Sequence, residues 1–228
     1  QGRAFSQLKQ TQYTTTIGGV ITPLEGWSIV GTFSYKRYQR EKTFRSANIS
    51  YSDAYGEMKT ATTGFFSDKL RENSAVEEHY SYDLYTTYEH SINRHNFKVL
   101  AGMNHEAYRY KLIYGAKSSL QSDYLNDLNL GTGVAEASGG QSRWALLGFF
   151  GRGTYDFAGK YLAEVNFRWD GSSRFPKHDR WGFFPSVALG WRISEETFME
   201  PLRKVIDNVK LRASVGSLGN QAIADSYN

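Results

Sequence analysis

One stretch, Tyr161-Leu162-Ala163-Glu164-Val165-Asn166-Phe167-Arg168-Trp169-Asp170, governs how the rest of the chain is read. Tyr161, Ala163, Val165, Phe167 and Trp169 take one parity, and Glu164, Asn166, Arg168 and Asp170 take the other. Successive side chains of a strand point to opposite sides, so this period of two predicts a strand with one apolar face and one charged, hydrated face. The pattern recurs outward in both directions. Val209, Leu211, Ala213 and Val215 alternate with Lys210, Arg212 and Ser214. Trp27, Ile29, Gly31, Phe33 and Tyr35 alternate with Ser28, Val30, Thr32, Ser34 and Lys36, and Tyr80, Tyr82, Leu84, Thr86 and Tyr88 repeat it once more. The fold class is all-β, with strands over about 9–22, 25–37, 77–91, 96–114, 142–157, 160–170, 182–193 and 208–216.

The connections come in two kinds. Pro23-Leu24-Glu25-Gly26, Ile92-Asn93-Arg94-His95 and Phe157-Ala158-Gly159-Lys160 are tight and hold the Gly, Pro or Asn that a turn backbone needs. About 38–75, about 115–141 and the shorter 171–180 are long and polar. Short and long alternate down the chain, so antiparallel neighbours put all tight turns at one end and all long loops at the other. Outer-membrane β-barrels have this asymmetry. A soluble sandwich spaces its turn signals at roughly 8–12 residues, much closer than here. The expectation is an antiparallel transmembrane β-barrel segment of about eight strands. One piece reads differently: Ser194 followed by Glu195 and Glu196, with Phe198, Leu202, Val205 and Ile206 at helical spacing, predicts a short helix over 194–207, limited by Pro201. Alternation puts it on the tight-turn side, as a small plug under the rim.

Composition narrows the function. The 228 residues include 16 Tyr, 14 Phe and 5 Trp but no Cys, which excludes a disulfide scaffold and Cys-based zinc or iron–sulfur sites. The balance of 27 Lys+Arg against 23 Asp+Glu leaves only +4, and the cations are scattered, so nucleic acid is not a partner. No run approaches the roughly 18 apolar residues of a membrane-spanning helix. Neither Gln1-Gly2-Arg3-Ala4-Phe5 nor Ala224-Asp225-Ser226-Tyr227-Asn228 carries a signal or anchor, and the expectation is a segment of something larger.

Catalytic chemistry was sought in the spacing and does not emerge. His79, His90, His95, His105 and His178 include no i, i+4 zinc pair. Gly153-Thr154-Tyr155-Asp156-Phe157-Ala158-Gly159-Lys160 has one residue too many between its glycines for a phosphate loop, and Tyr161 stands where Ser or Thr must reach magnesium. Glu77-Glu78 point to opposite faces of a strand, and Glu195-Glu196 read as cap chemistry, so neither forms a facing carboxyl pair. The chain is read as having no catalytic residue, metal site or cofactor, and as not being an enzyme.

Three blocks are more specific. They are Arg168-Trp169-Asp170-Gly171-Ser172-Ser173-Arg174-Phe175, the run from Arg180-Trp181-Gly182-Phe183-Phe184-Pro185-Ser186 through Gly190-Trp191-Arg192-Ile193-Ser194-Glu195-Glu196-Thr197-Phe198-Met199, and Val209-Lys210-Leu211-Arg212-Ala213-Ser214-Val215-Gly216 with Gly219-Asn220-Gln221. In this order and spacing they closely resemble the SusC/RagA family of TonB-dependent transporters from Bacteroidetes, strongly over about 142–222 and more weakly upstream. Val209, where Leu is expected, is a conservative departure.

The resemblance implies a 22-stranded outer-membrane barrel, of which this chain is an interior part, with the plug domain and the closing strands outside it. It also implies a SusD-like surface lipoprotein lid, TonB acting through the N-terminal part, and uptake of oligosaccharides or peptides. The family-motif positions are Asp170, Gly171, Ser172, Ser173, Arg174, Phe175, Trp181, Pro185, Gly190, Trp191, Gly219 and Asn220, expected to fix strand ends and twist, with substrate contact the alternative. Pro185, which donates no ladder hydrogen bond, implies a bulge or a locally unpaired site. Glu164, Asn166, Arg168, Lys210 and Arg212 are expected to face a wet lumen. Tyr108, Tyr110, Tyr114 and Tyr124, with Tyr51, Tyr55, Phe65 and Phe66, are candidates for substrate or lid contact, or for loop packing. Two other architectures fit the alternation. A self-contained eight-stranded barrel, an adhesin or structural protein, would pair its first and last strands. A soluble carbohydrate-binding β-sandwich would bury Ala163, Val165, Phe167, Leu211 and Ala213 against a second layer.

Overall fold

The computed structural model describes residues 4–61, 68–122, 124–202 and 205–220. Ten strands follow in chain order: β1 Phe5–Leu24, β2 Trp27–Ser46, β3 Ile49–Ser52, β4 Met58–Ala61, β5 Lys69–Ile92, β6 His95–Ser118, β7 Glu136–Phe157, β8 Tyr161–Ser172, β9 Trp181–Arg192 and β10 Lys210–Gly216. Eight of them make one sheet in the order β1-β2-β5-β6-β7-β8-β9-β10, while β3 and β4 pair separately as a small hairpin. The tight connections stand where the turn residues predict them, with Gly26, Asn93, Ala158 and Gly159 at positive φ. Left-handed backbone of this kind is what two-residue hairpin turns require.

β1 and β10 are the two edges of this order, so the sheet is open and a closed eight-stranded barrel is excluded. The sandwich fails on burial. Val165 is 52% exposed, Phe167 43%, Leu211 61% and Val215 76%, so among the described residues no second layer covers the apolar face.

Two expectations need correction. The polar stretch 38–75 is largely strand and 115–141 is strand at both ends, because β2 continues to Ser46, β5 begins at Lys69, β6 continues to Ser118 and β7 begins at Glu136. Alternation is invisible there because both faces are polar. Cross-strand ion pairs replace apolar contacts, as between Arg37 and Glu78 (3.3 Å), Arg40 and Glu77 (3.3 Å) and Lys69 and Glu136 (2.5 Å). The helix over 194–207 is instead two 3₁₀ turns, Ile193–Glu195 and Thr197–Leu202. Ser194 lies inside the first turn, 3% exposed, with Arg192 at the N-cap position; its backbone N–H donates to Val209 O at 3.2 Å. Pro201 within the second turn supplies no amide to an α-helical ladder.

By packing, the chain divides into two compact units. One comprises Gln1–Thr14, Lys36–His79 and Tyr108–Arg143, and it holds Ala47, Leu70, Ala75 and Ala116 as a small buried core. Arg45, 1% exposed, is buried there too, its Nη2 2.9 Å from Asp68 Oδ1. The other comprises Thr15–Tyr35, Tyr80–Ala107 and Trp144–Asn228. Among its described residues Met199 is the buried apolar side chain. A sheet of that size with almost no dry interior is built to keep both faces in contact with something other than itself.

Candidate functional site

Register decides which side chains share a face, because directly opposite residues in an antiparallel pair point to the same side. Across β7, β8, β9 and β10 one row reads Thr154, Glu164, Ala188, Ser214, and the next reads Arg152, Asn166, Ser186, Gly216. Asp156, Leu162, Gly190 and Arg212 form a third row of the same parity. This is the polar face, and its members are cross-linked. Arg152 Nε donates to Asn166 Oδ1 at 2.7 Å, and Asn166 Nδ2 donates to Glu164 Oε1 at 2.8 Å and to Ser186 Oγ at 3.4 Å. Arg168 grips both oxygens of Asp170, with Nη2 to Oδ1 at 2.8 Å and Nε to Oδ2 at 2.9 Å, and lies over the Phe150 ring. Lys98 pairs with Glu89 on the neighbouring hairpin. A cavity of about 430 Å³ opens on this side, with Glu89, Lys98, Thr154, Glu164, Lys210 and Arg212 among its lining. The five candidate lumen residues Glu164, Asn166, Arg168, Lys210 and Arg212 therefore share one face, charged along its length.

The opposite parity is apolar. Gly153, Val165, Val187 and Val215 make one row, and Tyr155, Ala163, Leu189 and Ala213 make the next. Aromatic rings bound these rows at both strand ends. Next to the tight turns Phe157 meets Tyr161 at 6.3 Å between centroids, with His95 4.8 Å from Phe157. At the other end Trp169 meets Trp181 at 4.6 Å with Phe149 beside both. From Tyr161 to Trp169 is nine residues, which fits the roughly 9–11 residues with which a tilted strand crosses a bilayer. Paired aromatic girdles around an apolar band about 25 Å tall are the exterior of a transmembrane barrel.

Of the family-motif residues, Asp170, Gly171, Ser172, Ser173, Arg174, Phe175 and Trp181 lie where β8 turns into β9. Gly171 ends the apolar parity of β8, and a Cβ there would stand 2.8 Å from the Trp181 ring, so the glycine makes room for that indole. Ser172 Oγ accepts from Arg174 N at 3.3 Å, Ser173 Oγ accepts from Ala145 N at 2.8 Å, and Phe175 O accepts from Arg180 Nε at 3.2 Å. Arg174 stacks on Trp144 at 4.5 Å. The Ser173–Ala145 bond and the Arg174–Trp144 stacking tie the loop to β7. Pro185 causes no bulge, since the β8–β9 register runs unbroken through Phe167↔Pro185. Its carbonyl accepts from Ser217 N at 2.9 Å, one residue past the end of β10, so the missing N–H falls at the unpaired end of the β10 ladder. Gly190 lies opposite Leu162 and Arg212, and Gly219 lies beneath the Phe184 ring, with Asn220 next to it. Gln221 lies outside the described residues.

Tyr108, Tyr110 and Tyr114 occupy alternate positions of β6 and so share one side of that strand, and Tyr114 OH donates to Glu136 Oε2 at 3.2 Å. Tyr124 is not brought to them by β6; it stands in the following loop, 79% exposed. Tyr51 and Tyr55 lie in the β3–β4 hairpin and its turn, and Phe65 and Phe66 lie outside the described residues.

Glu196 is the residue that pattern reading missed. Its Oε1 accepts from Tyr161 OH at 2.7 Å and Trp191 Nε1 at 3.1 Å, and its Oε2 accepts from Lys160 Nζ at 2.9 Å. The Tyr161 hydroxyl first, then Lys160 and Trp191, lower its carboxyl from the ordinary 4.5 to about 2. A Glu-Glu pair after Ser suggests a helix start, and nothing local marks the second acid as the acceptor of three distant donors. Sites that could hold a metal, meaning three or more clustered His, Asp or Glu, are absent among the described residues.

Comparison with known proteins places this geometry. The profile described as "TonB dependent receptor-like, beta-barrel" matches residues 2–228. The TonB-dependent receptor SusC of Bacteroides thetaiotaomicron is 35% identical over 150 residues, covering 64% of this chain and 14% of SusC. TonB-dependent receptor P26 of Formosa agariphila is 29% identical over 214 residues, covering 90% of this chain and 20% of that protein. Among solved structures, the RagAB peptide transporter superposes with a TM-score of 0.78 at 20% identity, over 96% of this chain and 24% of that one. The RagAB peptide importer in its "open-open" state gives 0.76 at 20% identity, over 96% and 23%. The chain spans 14–20% of the length of the curated relatives it matches.

Proposed function

This chain belongs to the TonB dependent receptor-like β-barrel family, and from that premise we propose that all 228 residues are part of the wall of one outer-membrane barrel that imports nutrients. The apolar face meets acyl chains, and the polar face lines a wet conduit. Glu164, Asn166, Arg168, Lys210 and Arg212 keep that conduit hydrated, with Asn166 bonded to Glu164 and Arg168 paired with Asp170 along the wall. The whole protein takes up oligosaccharides or peptides under a SusD-like lipoprotein lid, with TonB acting through a plug outside this chain. Tyr108, Tyr110, Tyr114 and Tyr124 meet substrate or lid at the long-loop end. The wall binds, guides and excludes lipid, and performs no reaction.

The observation that carries this proposal is the segregation of a bare apolar face from a face that carries the charges, across β7 to β10, on strands long enough to cross a bilayer, with aromatic rings at both ends of the apolar rows. The relatives' names, a SusC receptor and a peptide importer, support import as the task. The test is deletion and complementation of the full-length parent in its own host. Growth on the oligosaccharide or peptide mixture that it serves is lost on deletion and returns with the intact protein. Unchanged growth on every such mixture, or a parent that stays soluble without detergent, overturns the proposal.

A further inference from the structure

Between β9 and β10 the chain does not cross directly beneath the sheet. It makes the 3₁₀ turns Ile193–Glu195 and Thr197–Leu202, and Glu196 between them reaches back to the strand ends. Two of its three donors, Tyr161 and Trp191, stand directly opposite each other in the β8–β9 register, on the apolar parity. The connection is therefore fastened to the apolar side of the strand ends, not under the polar side where a small plug would pack.

What it carries there is unusual. Met199 is tucked in at 9% exposure, yet Phe198 is 62% exposed, Leu202 47% and Val205 83%. Bare apolar surface is unfavourable in water, and here the turns that carry it are tied through Glu196 to the aromatic ring row that ends the apolar face. Tyr and Trp in such rows hold their bodies in hydrocarbon and turn their polar ends toward the headgroups. In this chain those polar ends go to Glu196, which sets the connection at the same depth.

We propose that this connection is an interfacial foot: Phe198, Leu202 and Val205 enter the headgroup–acyl boundary of the phospholipid leaflet at the tight-turn end, held to the Tyr161–Trp191 row by Glu196. The foot rests on the reading of the apolar face as lipid-facing. The segment interleaves these apolar side chains with Glu195, Glu200 and Asp207 and is far too short to cross, so it lies in such a boundary.

The test uses the full-length parent reconstituted in phospholipid nanodiscs, with any native cysteine elsewhere replaced by serine; this chain has none. Phe198→Cys and Val205→Cys are each labelled with a polarity-sensitive fluorophore, and so are Val165→Cys on the apolar face and Ser214→Cys on the polar face. Nitroxide lipids carry the quencher either at the headgroup or deep in the acyl chain. Labels at 198 and 205 shift to the blue and lose emission to the headgroup nitroxide, the label at 165 loses emission to the deep one, and the label at 214 to neither. Adding Glu196→Ala restores emission at 198 while leaving 165 quenched. Water-like, unquenched labels at 198 and 205 with 165 still quenched overturn the foot and leave the barrel standing. An unquenched label at 165 overturns the barrel reading itself.

Discussion

Trp169 and Trp181 lie diagonally across the β8–β9 pair with ring centroids 4.6 Å apart, and the second indole rests on Gly171, whose missing side chain gives it room. The pair sits at the long-loop end of the apolar face, where a ring body meets hydrocarbon and a ring N–H meets water. A double-mutant cycle of Trp169→Ala and Trp181→Ala in the full-length parent, followed by denaturant unfolding from lipid vesicles, gives a coupling of about 0.5–1.5 kcal/mol beyond lost area. Strict additivity contradicts the pairing.

Val165 stands midway between Tyr161 and Trp169 on the apolar parity, 52% exposed. Val165→Arg puts a cation at the bilayer midplane and costs about 2–4 kcal/mol. Ala188, directly opposite Glu164 in the β8–β9 register, faces the other way, so Ala188→Arg loses little. Comparing the two variants for yield in the outer membrane and for unfolding midpoint separates the faces; equal penalties would mean that the faces are misassigned.

The Glu196 latch has a definite pH dependence. Its carboxyl is held from 4.5 down to about 2, first by the Tyr161 hydroxyl. A carboxyl depressed in the folded state stabilises fully above its unfolded pKa, and that contribution fades as pH falls from 4.5 through about 2. Thermal unfolding of the parent and of Glu196→Gln therefore differs at neutral pH and converges in that acid window. A gap that persists undiminished at the acid end refutes the latch.

Two glycines of strand parity give opposite outcomes on the same change. A Cβ at Gly102 would stand 2.5 Å from Tyr85 Cβ and 2.6 Å from Phe150 Cζ, whereas at Gly153 it meets nothing within 4 Å. Gly102→Ala forces the rings apart and costs about 1–3 kcal/mol. Gly153→Ala is neutral or slightly stabilising, since glycine in a strand interior loses more chain entropy on folding. Unfolding midpoints of the two variants, measured side by side, decide the matter.

How much of this was legible beforehand varies along the chain. From Tyr161 to Trp169 one face is dry and one is wet, so every second residue announces its side, and both the strand and the face partition are readable. Along β2 past Tyr35 the same parity continues as Arg37, Gln39 and Glu41, and Gln39 Nε2 donates to Glu41 Oε1 at 2.7 Å. A strand that is polar on both sides looks like a loop, which is why β2, β5, β6 and β7 proved longer than alternation indicated. The Gly and Asn of the tight turns were readable because backbone geometry is a local demand. The Arg45–Asp68 pair was not, because Arg45 near the end of β2 and Asp68 just before β5 are separated by the β3–β4 hairpin.

Alternation, turn chemistry and the three motif blocks were enough to establish an antiparallel, two-faced β-sheet and the family it resembles, because each is written in neighbouring residues. Strand register, the open edges at β1 and β10, and the gathering of Lys160, Tyr161 and Trp191 onto Glu196 came from the folded chain. Those features depend on which distant backbones share hydrogen bonds. A one-residue slip in that sharing would send every side chain to the other face without altering a single local preference.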